Sequence, residues 1–384
     1  MEAIGIVAEY DPFHLGHKHQ ITATRAALGE DLPVVCAMSG NWTQRGSAAI
    51  VDKWTRARLA LAGGADLVLE LPTPWATASA ETFARGAVEL LTLAGATILS
   101  FGSEAGKLTD LEAVAACLDS EAYRRELRKG LDKGLGFAVA RHRAAGVLLG
   151  ESAQVLENPN NNLGIEYLRA IHYLGAKVQP FTVPRRGAGH DSPDTGEGFA
   201  SASAIRAMLR AGEKRAWDYL PQGSKETLGR DFAALDRAFP AILAKLRTMT
   251  AKELATLPDC SDGLEYRLLE AAGKAVDLTG LYDLAKSKRY AHARVRRVVL
   301  RAFLGMEHIP AHIPYLRVLG MTDRGRSLLR GEKAVPVVTK PTHGKGLPLM
   351  EAEARYTDLY ALCFDPVRPS GLEWITSPVI LHRS

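Results

Sequence analysis

Over the first hundred residues, short apolar runs alternate with longer stretches of helical period. Residues 3–8 (AIGIVA), 33–38 (PVVCAM), 66–71 (DLVLEL) and 96–101 (ATILSF) are too short for helices and read as strands. Between them, residues 17–28, 52–62 and 80–94 carry apolar side chains at the three-and-four spacing of amphipathic helices. Strand and helix in alternation predict right-handed crossovers around a parallel sheet, a Rossmann-like, doubly wound α/β fold. Ligands of such sheets gather at the carboxyl ends of the strands, so residues 9–17, 39–47, 71–75 and 102–104 are expected to line one crevice.

Helical patterns continue from 108 to 148. PNNNLGIEYLRAIHYL then reads as an asparagine-rich cap leading into a helix, and KVQPFTV as a further strand. The next segment, PRRGAGHDSPDTGEGFAS, has no apolar period and is rich in Gly, Pro, Asp and Ser, the composition of a long loop over the crevice. A short helix, ASAIRAMLRAG, follows. Helical patterns dominate from 215 to about 310, and beyond Tyr315 the pieces LRVLGM, VPVVTK and TSPVILH are strand-like. The sequence therefore divides into an α/β domain (1–214), a helical domain (215–312) and a small mixed C-terminal subdomain (313–384).

With 384 residues, 47% apolar and 24% charged, the chain has the balance of a soluble globular protein rather than a disordered or membrane one. Cys36, Cys117, Cys260 and Cys363 lie far apart without CxxC or Cys/His spacing, so reduced thiols are expected, with neither a zinc site nor a disulfide framework. MEAIGIVAEY lacks the basic start of a signal peptide, and no apolar run reaches the roughly 18 residues of a membrane span, which points to the cytoplasm. A net charge of +5 is compatible with a polyanionic partner and does not identify one.

Two local patterns carry chemistry. His14-Leu15-Gly16-His17 stands after the first strand, at the start of a helix, where backbone N–H groups and the helix dipole favour a phosphate. Gly16 lets that phosphate approach the backbone, and imidazole N–H groups can stabilise charge on an α-phosphate as pyrophosphate leaves. Asp11-Pro12-Phe13 forms a turn that sets the entry angle. Some 190 residues downstream, Ser201-Ala202-Ser203-Ala204-Ile205-Arg206 starts a second helix whose hydroxyls and guanidinium suit β- and γ-phosphate oxygens. Each pattern alone is common; together they form one plan for nucleotidyl transfer from ATP, with His14, His17 and Arg206 as its catalytic core.

Those residues resemble the HIGH-type nucleotidyltransferase superfamily. Within it, GIVAEYDPFHLGHKHQ, MSGNWTQRGSAAIVDKWTRARLAL, GADLVLELP, FGSE, PNNNLGIEYL and SASAIR are similar to one family, the bacterial tRNA(Met) cytidine acetate ligases. DGLEYRL, SKRYAHARVRRVVL and YLRVLGMT extend the resemblance over most of the chain. The resemblance implies an enzyme that makes acetyl-adenylate from ATP and acetate. It then acetylates the exocyclic amine of the wobble cytidine in elongator tRNA(Met). Carried over by motif, the ATP loop is residues 7–20, including Val7, Glu9, Tyr10, Pro12, Phe13, His14, Gly16, His17 and Gln20. Gly102 of FGSE, Asn160 of PNN, Ser201, Ser203 and Arg185 join it, with Arg186 able to supply the charge in place of Arg185. Ser203 stands where the family often has threonine and keeps the hydroxyl; a third asparagine stands where an aliphatic residue often follows PNN. Whether Mg2+ accompanies ATP, and the oligomeric state, are left open.

Two further segments suggest contact with a polynucleotide. Residues 40–46 (GNWTQRG) mix an amide, an aromatic ring and a guanidinium over the crevice, and are expected to touch substrate or base. Next, Asp52 and Arg56 are four apart on a helix, as in a surface ion-pair ladder that would include part of Lys53 and Arg58. In the helical domain, Lys286, Lys288, Arg289, Arg294, Arg296, Arg297 and Arg301 fall within sixteen residues around Tyr290, with Asp283 the nearby acid. Such a stretch suits RNA phosphates and base stacking. The rival readings are an adenylyltransferase acting on a small phosphorylated cofactor precursor and a non-catalytic RNA-binding protein on a degenerate fold. Intact His14, His17 and Arg206 oppose the latter. An aminoacyl-tRNA synthetase would need a KMSKS-like lysine loop where SASAIR stands.

Overall fold

The computed structural model describes residues 2–185 and 198–382. Its centre is a parallel sheet of β1 (Ile4–Ala8), β2 (Val34–Ser39), β3 (Leu67–Leu71), β4 (Ile98–Ser103) and β5 (Gln179–Pro184), in the order β5-β4-β1-β2-β3. The doubly wound α/β expectation holds, and helices at Leu15–Leu28, Lys53–Ala62 and Ala80–Ala94 fill the crossovers. Alternation along the strands feeds two cores. Ile4, Ile6, Cys36 and Val68 pack with Ile21, Ala57 and Ile205 on one face; Val35, Ala37, Leu67 and Leu69 pack with Ala87, Leu91 and Ile165 on the other. Strand order reverses between β1 and β4, the place where such sheets open a crevice.

The C-terminal part corrects the expectation of a separate subdomain. β6 (Leu316–Thr322) runs antiparallel to β3 and extends the same sheet, while β7 (Val337–Val338) and β8 (Val379–Leu381) both pair with β6. Residue 313 thus divides the sequence and not the sheet. An apolar strand pattern does not reveal which edge it will cover, and the edge of β3 would otherwise stand unpaired. An ionic knot fixes the join. Lys53 Nζ lies 2.6 Å from Glu70 Oε1 and 2.6 Å from Glu373 Oε2, and Arg317 Nε stands 3.5 Å from Glu373 Oε1, with every one of these side chains buried. Such pairs hold only as a set, because losing one partner strands a charge in the core.

The helical part has its own core, built from Ile242, Leu246, Leu264, Leu268, Leu281, Val295 and Val298. Trp42 and Ala48, from the loop after β2, belong to it. Trp42 Nε1 donates to the Tyr356 carbonyl at 3.2 Å, and its ring meets Tyr360 and Phe303 edge-on. Gly46 has φ +73°, and a Cβ there would lie 2.8 Å from backbone atoms of Arg296 and Arg297, so the loop is pressed onto the helix His292–Leu304. Among the described residues, no helix is long and apolar enough to cross a membrane.

Candidate active site

His14 ends the turn after β1 and caps the helix Leu15–Leu28. Its Nδ1 accepts the Gly16 N–H at 3.1 Å, while His17 Nδ1 accepts the His14 N–H at 3.2 Å. The result is a capping box made of two imidazoles, with rings stacked 3.6 Å apart. With Nδ1 occupied as an acceptor, each neutral ring carries its proton on Nε2. Burial holds the His17 pKa well below the usual imidazole value, and His14 and Arg185 push it the same way. His17 is therefore a neutral Nε2–H donor at the N-terminus of a helix, the arrangement that meets a phosphate oxygen without adding a proton. Gly16 is required here: a Cβ would stand 2.9 Å from the His14 ring.

The opposite side of the crevice comes from β4, β5 and the helix Ala202–Arg210. His14, Gly16, His17, Gln20, Gly102, Arg185 and Ser201 line the crevice between these elements. Arg185 lies over Gly102, where a Cβ would come within 3.2 Å of its Cγ, and its guanidinium reaches Asn160 Oδ1 at 3.4 Å. Asn160 Nδ2 in turn donates to Glu104. Ser201 Oγ accepts the Ala204 N–H and lies 3.0 Å from Ser203 Oγ, so both hydroxyls stand at the helix start. Arg206 donates to the Asp11 carbonyl at 2.6 Å and faces Asp11 Oδ2 at 3.4 Å, which ties the two motifs together directly. Arg186 and most of the expected loop, residues 186–197, lie outside the described residues.

Several of the expected residues also serve the fold. Tyr10 and Phe13 are buried against each other and His17, and Phe13 occupies the space a Gly63 Cβ would need. Pro12 is buried in a cis Asp11–Pro12 turn. Val7 stays on β1 within the sheet. Residues 71–75 are buried, so the crevice forms over β1, β4 and β5 and not along the whole sheet. The expected surface ladder is absent: Arg56 is fully buried, donating to the carbonyls of Glu9, Ser39, Gly40 and Val51, and Asp52 caps its helix through Thr55. Trp42, expected over the crevice, is the core residue described above. Gln44 remains beside the site: its N–H donates to Glu9 Oε1 at 2.7 Å.

His19, Phe199 and Ala200 also line the crevice; the sequence reading covered them within the ATP loop 7–20 and the loop over the crevice without naming them singly. Their signal was positional: one lies two residues past His17, the others directly before Ser201. Among the described residues, no three His, Cys, Asp or Glu side chains group as a metal site.

The model of the HIGH nucleotidyl transferase family matches residues 1–373. A tRNA(Met) cytidine acetate ligase from Caldanaerobacter subterraneus subsp. tengcongensis is 37% identical over 99% of this chain and all of its own length. The chain belongs to this ligase family. The fold agrees with that of Thermotoga maritima TmcAL, at 29% identity over the full length of both chains, with a TM-score of 0.93 for the apo form and 0.88 for the form bound to alpha-thio ATP.

Against the family background, the basic segment of the helical part divides in two. Lys286, Lys288, Arg289 and Arg296 are exposed. Tyr290 is buried and its hydroxyl donates to the Asp262 carbonyl. Arg294 bonds the Asp259 carbonyl, Ser261 and Asp262; Arg297 and the fully buried Arg301 both pair with Asp259 Oδ2, at 3.3 and 2.9 Å. Tyr290 and Arg297 are thus corrected from RNA contacts to internal braces. The neutralising acids come from residues 259–262, which fold back onto the helix and were invisible to a reading that looked only at neighbours in sequence.

Proposed function

We propose that this chain is an ATP-dependent ligase that activates acetate as acetyl-adenylate and transfers the acetyl group to N4 of the wobble cytidine in elongator tRNA(Met). The observation that carries the reading is the junction of the two motifs in a chain that matches ligase relatives from end to end. His17 and the Ser201–Ser203 helix start face one crevice, and Arg206 joins them through Asp11.

In the first step an acetate oxygen attacks the α-phosphorus and pyrophosphate departs. His17 Nε2–H stabilises the growing negative charge, and Ser201, Ser203 and the helix N–H groups hold the outer phosphates. Arg185 and Arg206 supply positive charge, and Gly102 with Asn160 forms the floor beneath the nucleoside. Positioning and electrostatics suffice, and no protein nucleophile is needed. In the second step the cytidine amine attacks the acetyl carbonyl and AMP leaves. The exposed cations Lys286, Lys288, Arg289 and Arg296 bind RNA phosphates, and the reaction takes place in the cytoplasm.

The test is pyrophosphate exchange into ATP by the purified protein, with and without acetate, followed by bulk bacterial tRNA and nucleoside analysis. Acetate-dependent exchange and acetylated cytidine are expected. Exchange that ignores acetate but responds to a phosphorylated cofactor precursor would move the chain to the adenylyltransferases.

A further inference from the structure

The carboxylates in the segments that follow the parallel strands differ in what they hold. Asp11 accepts the Ile50 N–H through Oδ1 and faces Arg206 through Oδ2. Glu104 holds Asn160 with one oxygen and the Asn161 N–H with the other. Asp52 spends both oxygens on Thr55. Glu9 is built differently: Oε1 accepts the Gln44 N–H at 2.7 Å, and Oε2 has no hydrogen-bond partner among the described residues. The residue is only partly buried. A side chain anchored through one oxygen, with the other open, is shaped to receive a proton or an N–H donor from outside the protein.

Its location narrows the donor. Glu9 directly follows β1, five residues before His14, and its backbone carbonyl is fixed by Arg56 at 2.6 Å. Gln44, which anchors the carboxylate, sits in the loop whose Gly46 presses on the backbone of Arg296 and Arg297. Glu9 therefore lies between the turn that leads to His14 and the loop packed on the helix that carries Arg296.

We propose that Glu9 is the proton acceptor for the attacking amine in the acetyl-transfer step. This rests on the function proposed above. The exocyclic amine of cytosine is conjugated with its ring and a poor nucleophile, so its proton must leave as the new bond forms. The nitrogen lone pair attacks the acetyl carbonyl carbon, the C–N bond forms, and the N–H proton passes to Glu9 Oε2. The bond between the acetyl carbon and the phosphate oxygen then breaks, and AMP leaves with the electron pair. Glu9 returns the proton to solvent.

The surroundings suit the task. Burial raises the Glu9 pKa above the usual carboxylate value; the Gln44 N–H opposes it, Asp11 adds to it, and Arg206 and Arg56 oppose it. Tyr167, on the helix Pro159–Leu174, feels the Glu9 charge. A raised value makes the carboxylate a stronger base than one in water.

Glu9→Gln keeps the size of the side chain and an acceptor for the Gln44 N–H. Glu9 also belongs to the expected ATP loop, so acetate-dependent pyrophosphate exchange is measured on the same full-length variant; single-turnover acetylation of tRNA should fall by at least about 100-fold more than exchange does, the low end of general-base contributions. The wild-type transfer rate should rise with pH to a plateau, and the variant should lack that rise. Glu9→Asp should recover part of the rate. Transfer within fivefold of wild type in Glu9→Gln, or parallel losses of exchange and transfer, would overturn the proposal. A wild-type protein without acetate-dependent exchange would instead overturn the function on which it rests, and that control is read first.

Discussion

The nucleotide crevice and the basic segment of the helical part are both dense in residues that chemistry uses, yet they yield to sequence reading very differently. In the crevice, the meaning lies in spacing. His14 and His17 are three apart because a capping box needs that interval, and the same hydrogen bonds that cap the helix set the imidazole protons outward. In the basic segment, the meaning lies in partners. Arg294, Arg297 and Arg301 look like Arg296 in the sequence, but Asp259 and Asp262, more than thirty residues upstream, have claimed them. A spaced motif carries its function locally; a run of like charges does not.

The largest effect expected from this contrast is at His17. His17→Ala removes a neutral donor preset toward the phosphates, and acetate-dependent exchange should fall by about 100-fold or more while tRNA affinity stays within twofold. Unchanged exchange would break the assignment. The next test divides neighbours. Arg297→Ala leaves Asp259 short of a partner in a mostly buried pair, and should cost on the order of 2–3 kcal/mol of stability, read as a lowered unfolding midpoint. Arg296→Ala should leave that midpoint alone and weaken tRNA binding, with the slope of log affinity against log salt reduced by about 0.7–0.9. Two variants with the same profile would erase the division between bracing and exposed arginines.

What was legible follows the same rule. The five parallel strands and their crossover helices were readable because each has its own period, and HxGH and SxSxIR were readable because their function needs fixed intervals. Trp42 and Arg56 were misplaced for the opposite reason. An aromatic and a guanidinium near the end of a strand look like ligand contacts or surface charge until Tyr356 and the carbonyls of Glu9, Ser39 and Gly40 arrive from elsewhere to satisfy them. The attachment of β6 to β3 depends on Lys53, Glu70, Arg317 and Glu373, a set spread over more than three hundred residues.

A smaller effect sharpens the reading of the second motif. Ser201 both caps its helix and sits on the crevice, so Ser201→Ala should cost about 1 kcal/mol of stability as well as reduce ATP affinity. Ser203, whose hydroxyl makes no cap bond, should affect ATP affinity alone when changed to Ala. Loss of stability in both variants would mean that the hydroxyl pair serves the helix rather than the phosphates.

The subtlest expected effect concerns the join between β3 and the C-terminal segment, where Glu353 receives the Thr73 N–H and faces the Thr73 hydroxyl, each at 2.6 Å. Burial, with Glu70 acting in the same direction, pushes the Glu353 pKa up from 4.5 to about 8. Between those values the folded protein holds a proton that the unfolded chain releases, so the contribution of this group to stability is complete below about 4.5 and is lost as pH rises through about 8. Glu353→Gln keeps an oxygen for the Thr73 N–H and a donor for its hydroxyl, mimicking the protonated side chain at every pH. Thermal unfolding between pH 6 and 9 should therefore show a smaller fall in midpoint for the variant than for the wild type. Equal falls would mean that the proton resides elsewhere in the knot, on Glu70, whose carboxyl is also raised by burial and lies against Lys53.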